Sequence, residues 1–232
     1  MSQAAASSSR PRRKYLTLYG ISWRTYSRLL HAFAERSNIR LAYDRGELVI
    51  ASPPTDLDGD GRFLGTLVVV LTEELQLPIK RGGATTLRSR RKRRGIEADE
   101  CFWIANAHHM AGRRRLDLRT DPPPDLAIEI DLTSTSLDRM TIYAALRVPE
   151  VWRLQGNTLS FHLLGPDSQY GSVAHSRAFP QVTPADLSSF LLEGRKAGDE
   201  NIVMRQFREW IRSWHGTGGN PSATTKPLPG TF

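Results

Sequence analysis

The stretch PPPDLAIEIDLTSTSLDR, residues 122–139, places acid where a buried strand would carry only apolar side chains. Side chains alternate faces along an extended chain. Asp125, Ala127, Glu129 and Asp131 therefore share one face, and Leu126, Ile128 and Ile130 the other. A mid-strand carboxylate such as Glu129, set among Ala127, Ile128 and Ile130, is costly unless it has a partner. Asp125 is also placed to close the proline turn, and Asp131 to open the cap of the next helix.

A second acidic strand, IEADECFWI, lies about thirty residues upstream. Glu97, Asp99, Cys101 and Trp103 share a face there, and Glu97 and Glu100 read as exposed edges. If the two strands are neighbours in one sheet, Asp99 lies beside Glu129. Two close carboxylates cannot both ionise cheaply, so one holds a proton or a cation sits between them. A hard divalent ion such as Mg²⁺ prefers oxygen ligands and keeps waters, and metal-activated water is the usual nucleophile in phosphodiester hydrolysis.

The elements that must position these residues follow from pattern. ISWRTYSRLLHAFAER puts Trp23, Tyr26, Leu29, Leu30 and Phe33 at helical spacing behind Ser22, a cap. IRLAYDRGELVIAS reads as two strands turning at Asp44, Arg45 and Gly46. FLGTLVVVLTEELQL reads as a helix of about four turns. Short strands follow at 78–81, 84–88, 97–104 and 125–131. Ser134, Thr135 and Ser136 can cap a helix over LDRMTIYAAL. PEVWRL and NTLSFHLL form a pair turning at Gln155, Gly156 and Asn157, and ENIVMRQFREWIRSW closes the ordered region as an amphipathic helix. This order suits an α/β or α+β fold, a mixed central sheet flanked by helices. One domain over residues 18–214 is expected, with a disordered basic arm at 1–17 and a disordered tail at 215–232.

The chain has 232 residues and a net charge of +8. Arg10, Arg12, Arg13 and Lys14 form one basic cluster, and Arg88, Arg90, Arg91, Lys92, Arg93 and Arg94 a second; everything else sums to −2. Such clusters can neutralise phosphates, so the 88–94 segment is a candidate contact for DNA. No apolar run approaches a membrane span, and the first residues lack the apolar centre of a signal peptide. A cytoplasmic location is expected. A single cysteine, Cys101, excludes an internal disulfide and a Cys-rich zinc cluster. His108 and His109 are adjacent and read as surface residues.

The runs GELVIASPP, IEADECFWI, PPPDLAIEI and IYAALRVPEVWRL, in that order over residues 18–214, resemble the Uma-two family of restriction-endonuclease-like proteins within the PD-(D/E)XK nuclease superfamily. The resemblance implies a Mg²⁺-dependent (or Mn²⁺-dependent) DNA endonuclease. It implies a metal held by Asp99, Glu129 and the carbonyl of Ile130, with Glu47 as a further candidate ligand. Two departures stand out. The superfamily's lysine, two residues after the second acid, is Asp131 here. The lysine that many relatives carry four residues before a tyrosine is Arg139, which can clamp a phosphate but is a poor general base. A histidine that many relatives carry in the loop after SPP is also missing, the matching loop here being TDLDGDG. Arg139 is thus expected to stabilise developing charge; slow or lost catalysis, leaving nucleic-acid binding alone, is the alternative, and a third reading is an interaction module in which the acidic cluster pairs with basic residues of its own chain. With no base-reading module in sight, target specificity would have to come from loops or from a homodimer.

Overall fold

Ser22 does cap the first helix. Its Oγ accepts the amide of Thr25 at 3.1 Å, which satisfies one of the free donors at the start of α1, Trp23–Ala32. In the computed structural model, which describes residues 14–36, 39–52, 55–113, 115–131 and 137–216, this helix packs on a five-stranded antiparallel sheet. Its strands are β1 (Lys14–Leu18), β2 (Arg40–Asp44), β3 (Glu47–Ser52), β5 (Thr86–Ser89) and β6 (Arg94–Glu97), in the order β1-β3-β2-β6-β5. The β2–β3 turn falls at Arg45 and Gly46, both at positive φ, as the sequence suggested.

A second sheet holds β4 (Lys80–Arg81), β7 (Glu100–Trp103), β8 (Leu126–Asp131), β9 (Glu150–Gln155), β10 (Thr158–Leu164) and β11 (Tyr170–Val173), ordered β11-β10-β9-β8-β7-β4. Only β8 and β9 run parallel, and α3 (Arg139–Leu146) makes the crossover between them. One face of this sheet, with Leu126, Ile128, Ile130, Trp152 and Phe161, packs against α2 (Thr55–Glu74), α4 (Pro184–Lys196) and α5 (Glu200–Gly216). The other face, with Cys101, Ala127 and Val151, packs with Ile142 and Tyr143 of α3 and with Ala42, Leu87 and Ile96 of the first sheet. α3 therefore lies between the sheets, and the fold is α+β.

Several expectations are corrected. The strand expected at 97–104 is two strands, because Ala98 and Asp99 carry the chain from one sheet to the other. Residues 14–17, assigned to a disordered arm, begin β1, whose whole length pairs with β3. His215 and Gly216, assigned to the tail, end α5. Residues 1–13 and 217–232 lie outside the described residues, as do Ser134, Thr135 and Ser136. The observed cap of α3 is Asp138, whose Oδ1 accepts the amide of Met140 at 2.9 Å. The segment TDLDGDG belongs to the first turns of α2 rather than to a loop. Its Gly61 faces the acidic end of the second sheet, where a Cβ would lie 3.5 Å from Ile130 and 3.7 Å from Asp99.

Gly95 is more tightly constrained. A Cβ there would fall 2.1 Å from the hydroxyl of Tyr26, which is fully buried and stacked on Tyr43 at 4.6 Å. Neither ring has room to retreat, since Trp23 packs on both. Gly95→Ala is expected to cost about 1–3 kcal/mol by overpacking, measured by urea denaturation. Tyr26→Phe in the same chain should restore part of that loss, and a neutral Gly95→Ala would contradict the close packing.

Candidate active site

The β7–β8 ladder pairs Glu100 with Ile128, Cys101 with Ala127 and Phe102 with Leu126. Continued by one residue, the same register sets Asp99 opposite Glu129. The carboxylate of Asp99 turns onto the end of the ladder, where Oδ2 accepts the amide of Ile130 at 2.8 Å. Ile130 thus meets Asp99 through its N–H.

Glu129 is 1% exposed and points into the layer between the sheets. Arg139, the first residue of α3, supplies the cation that two neighbouring carboxylates require. Its Nε stands 2.5 Å from Oε1 of Glu129, and its Nη2 donates to Oε2 at 3.0 Å. Tyr143, one turn along the same helix face, donates its hydroxyl to Oε2 at 2.8 Å. The same Arg139 donates to the main-chain oxygen of Glu97 at 3.1 Å. Burial by itself would lower the pKa of Arg139, but the charge of Glu129, reinforced by Tyr143 and Asp99, holds it above the ordinary arginine value. Burial and then Glu129 push Tyr143 well above the ordinary tyrosine range. Arg139 is permanently cationic and Tyr143 neutral at physiological pH.

Around this centre lie acids that the sequence made look exposed. Glu97 is half-buried, 3.6 Å from the guanidinium of Arg40, and burial raises its pKa. Glu100 is buried beneath Gly65 of α2, and burial raises its pKa too. No periodicity signalled Arg40 or Tyr143 as partners of the acids. For Tyr143 the one available hint was its place four residues after Arg139.

Other candidates fall elsewhere. Glu47 ends the β2–β3 hairpin and lines a separate surface pocket with Tyr19, Gly20, Asp44 and Arg93, so the structure does not bring it to Asp99 and Glu129. Asp125 binds the amides of Ile104 and Asn106 at 2.7 and 3.0 Å and fixes the turn after β7. Asp131 pairs with Arg153 across the parallel ladder, and the cap of α3 is Asp138 instead. His108 and His109 are exposed, as expected. The basic segment is the tip of the β5–β6 hairpin, with Arg88, Arg90, Arg91 and Arg93 exposed. Two of its members are committed to the fold: Arg94 pairs with Asp44 at 2.8 Å, and the ammonium of Lys92 donates to the carbonyl of Ala145. Among the described residues no group of three or more His, Cys, Asp or Glu side chains is gathered to hold a metal ion.

The model of the Uma2 family, described as "Putative restriction endonuclease", matches residues 23–193. The chain belongs to the Uma2 family. The match runs from α1 to α4 and so takes in Asp99, Glu129, Arg139 and both sheets. The family's description indicates nuclease chemistry, and restriction-endonuclease-like families generally use divalent metals. Among curated proteins none matches the chain. No helix among the described residues is long and apolar enough to cross a membrane.

Proposed function

We propose that this Uma2 protein is a metal-dependent endonuclease that hydrolyses phosphodiester bonds of DNA in the cytoplasm. The observation that carries the reading is the meeting of the two acids at the end of the β7–β8 ladder: Asp99 accepts the amide of Ile130, the residue after Glu129, and a cationic side chain of α3 is directed at Glu129. The donors are hard oxygens, which fits Mg²⁺ or Mn²⁺ in kind. The guanidinium pairs with Glu129 alone, and Asp99 nearby is held by a main-chain amide rather than by a cation of α3. Asp99 and Glu129 would hold the ion, on condition that Arg139 withdraws from one oxygen of Glu129. A bound ion would supply Lewis-acid activation of water and charge neutralisation at phosphorus.

The chain's own residues have separable tasks. Tyr143 fixes the orientation of Glu129 through its hydroxyl. The amide of Ile130 fixes Asp99. Arg139, once released from Glu129, is placed to stabilise the negative charge that develops on the phosphate. It cannot take a proton from water, because its pKa lies far above neutrality. The exposed arginines at 88, 90, 91 and 93 are available for backbone phosphates.

A second reading is favoured by one observation: Arg139 stands on both oxygens of Glu129. On that reading the protein binds nucleic acid without cutting it. Incubation with supercoiled plasmid and Mg²⁺ or Mn²⁺ separates the two. Nicking that is lost in EDTA and in Asp99→Asn supports the enzyme, and intact plasmid with every metal supports binding alone.

A further inference from the structure

Along the side of the β5–β6 hairpin, a groove of about 890 Å³ runs between α1, strands β4 and β5, and Arg113, Arg115 and Leu116. Its rim carries Arg36, Lys80, Arg81, Arg88, Arg113 and Arg115, all exposed, against a single carboxylate, Glu97. Arg113 lies 3.5 Å from Asp121. Among the described residues Arg36, Lys80, Arg81, Arg88 and Arg115 have no carboxylate within 4 Å. These cations come from four separate parts of the chain and converge only through the fold. The groove's floor is apolar, built from the half-buried Leu30, Phe33, Ile39 and Leu116.

We propose that this groove binds single-stranded DNA, with phosphates on the cationic rim and bases on the apolar floor. Charge complementarity selects a polyanion. A floor carrying the Phe33 ring selects one with exposed base faces, since stacking on aromatic side chains beside a basic groove is how unpaired strands are held without sequence preference. A duplex hides its base faces and would use the rim alone. Glu97 joins this groove to the candidate active site, because its side chain lines the groove while its main-chain oxygen accepts Arg139. The corollary, which rests on the nuclease reading, is that the substrate class is DNA with a single-stranded segment next to the cleaved bond. Binding in the groove does not depend on cleavage.

The test is fluorescence anisotropy in EDTA over a salt series, with a labelled oligothymidylate of about twenty nucleotides and a duplex of equal length. The single strand is expected to bind more tightly. Lys80→Ala, Arg81→Ala and Arg115→Ala combined should weaken it by about tenfold or more and make the log-affinity against log-salt slope shallower by about two, at roughly 0.7 per phosphate contact. Phe33→Leu, which keeps apolar volume but removes the ring, should weaken the single strand about fivefold and leave the duplex unchanged. Equal binding of the duplex or of polyglutamate, or an unchanged slope in the triple variant, would overturn the proposal. A protein that binds in the groove but cuts neither plasmid nor DNA with a single-stranded segment, with Mg²⁺ or Mn²⁺, refutes the nuclease reading and keeps this one, and cutting with normal binding by the triple variant does the reverse.

Discussion

Arg139→Ala is expected to lower the unfolding free energy by about 3–5 kcal/mol, the usual cost of removing one partner from a buried ion pair. Glu129 is 1% exposed, and its face of β8 is otherwise packed with Ala127 against Val151 and α3. Without Arg139 the buried carboxylate would keep the Tyr143 hydroxyl but lose its cation. The loss should persist at 1 M NaCl, because screening acts weakly on a buried pair. Urea denaturation of the wild type, Arg139→Ala, Glu129→Gln and the double variant gives the coupling directly. In the Glu129→Gln background Arg139→Ala should cost much less, since no buried charge is then orphaned. A loss below about 1 kcal/mol for Arg139→Ala in the native background would mean that the pair is solvated and weak, as surface pairs are.

That pair also shows why part of the site was legible and part was not. Glu129 announced itself because a charge in the middle of an apolar run demands a partner, and the alternation of β8 fixed its face. Its nearness to Asp99 was expected from two acidic strands taken as neighbours in one sheet. The partner itself was harder to see. Arg139 sits at the start of α3, and only the β8-α3-β9 crossover swings its side chain back over the strand that precedes it. Its resemblance to a catalytic position gave it a role on the substrate, whereas in the structure its charge is spent on Glu129.

The remaining differences have similar causes. Local periodicity cannot report a strand that changes sheets, so Ala98 and Asp99 looked like the middle of one strand. The helix expected from Phe63 begins earlier, at Thr55, although Gly59 and Gly61 each weaken a helix by roughly 1 kcal/mol. Tertiary packing overrode that preference where α2 approaches Ile130 and Asp99. Glu97 and Glu100 looked like solvent-facing edges because their cover comes from residues far away in the chain, Arg40 in one case and α2 in the other. The cationic groove was invisible for the same reason: its arginines and lysines are scattered from 36 to 115 and form no run.

Arg139→Lys should raise the rate of plasmid nicking by about tenfold or more. Arginine holds both oxygens of Glu129 through a planar fork, and each must be won back before the carboxylate can serve another cation. Lysine is a point charge on a flexible stem and can satisfy one oxygen while leaving the other available. Its pKa can also be lowered by burial, so it can exchange a proton with water, and general base catalysis is typically worth about 10²–10⁴-fold. Wild-type nicking is therefore expected to be slow, to require Mg²⁺ or Mn²⁺, and to fall by at least about a hundredfold in Asp99→Asn and Glu129→Gln. These changes remove a negative charge and keep side-chain shape, and thermal melts would establish that the variants remain folded. Lysine should lose some of the stability that Arg139 gives, so a faster but less stable protein is the signature of this mechanism. Were Arg139→Lys no faster than a wild type that cuts well, the cation on α3 would have no part in limiting the chemistry. Were neither to cut with any divalent metal, the Arg139–Glu129 pair would be a structural replacement for the ion, and the nucleic-acid-binding reading would stand in place of the enzyme.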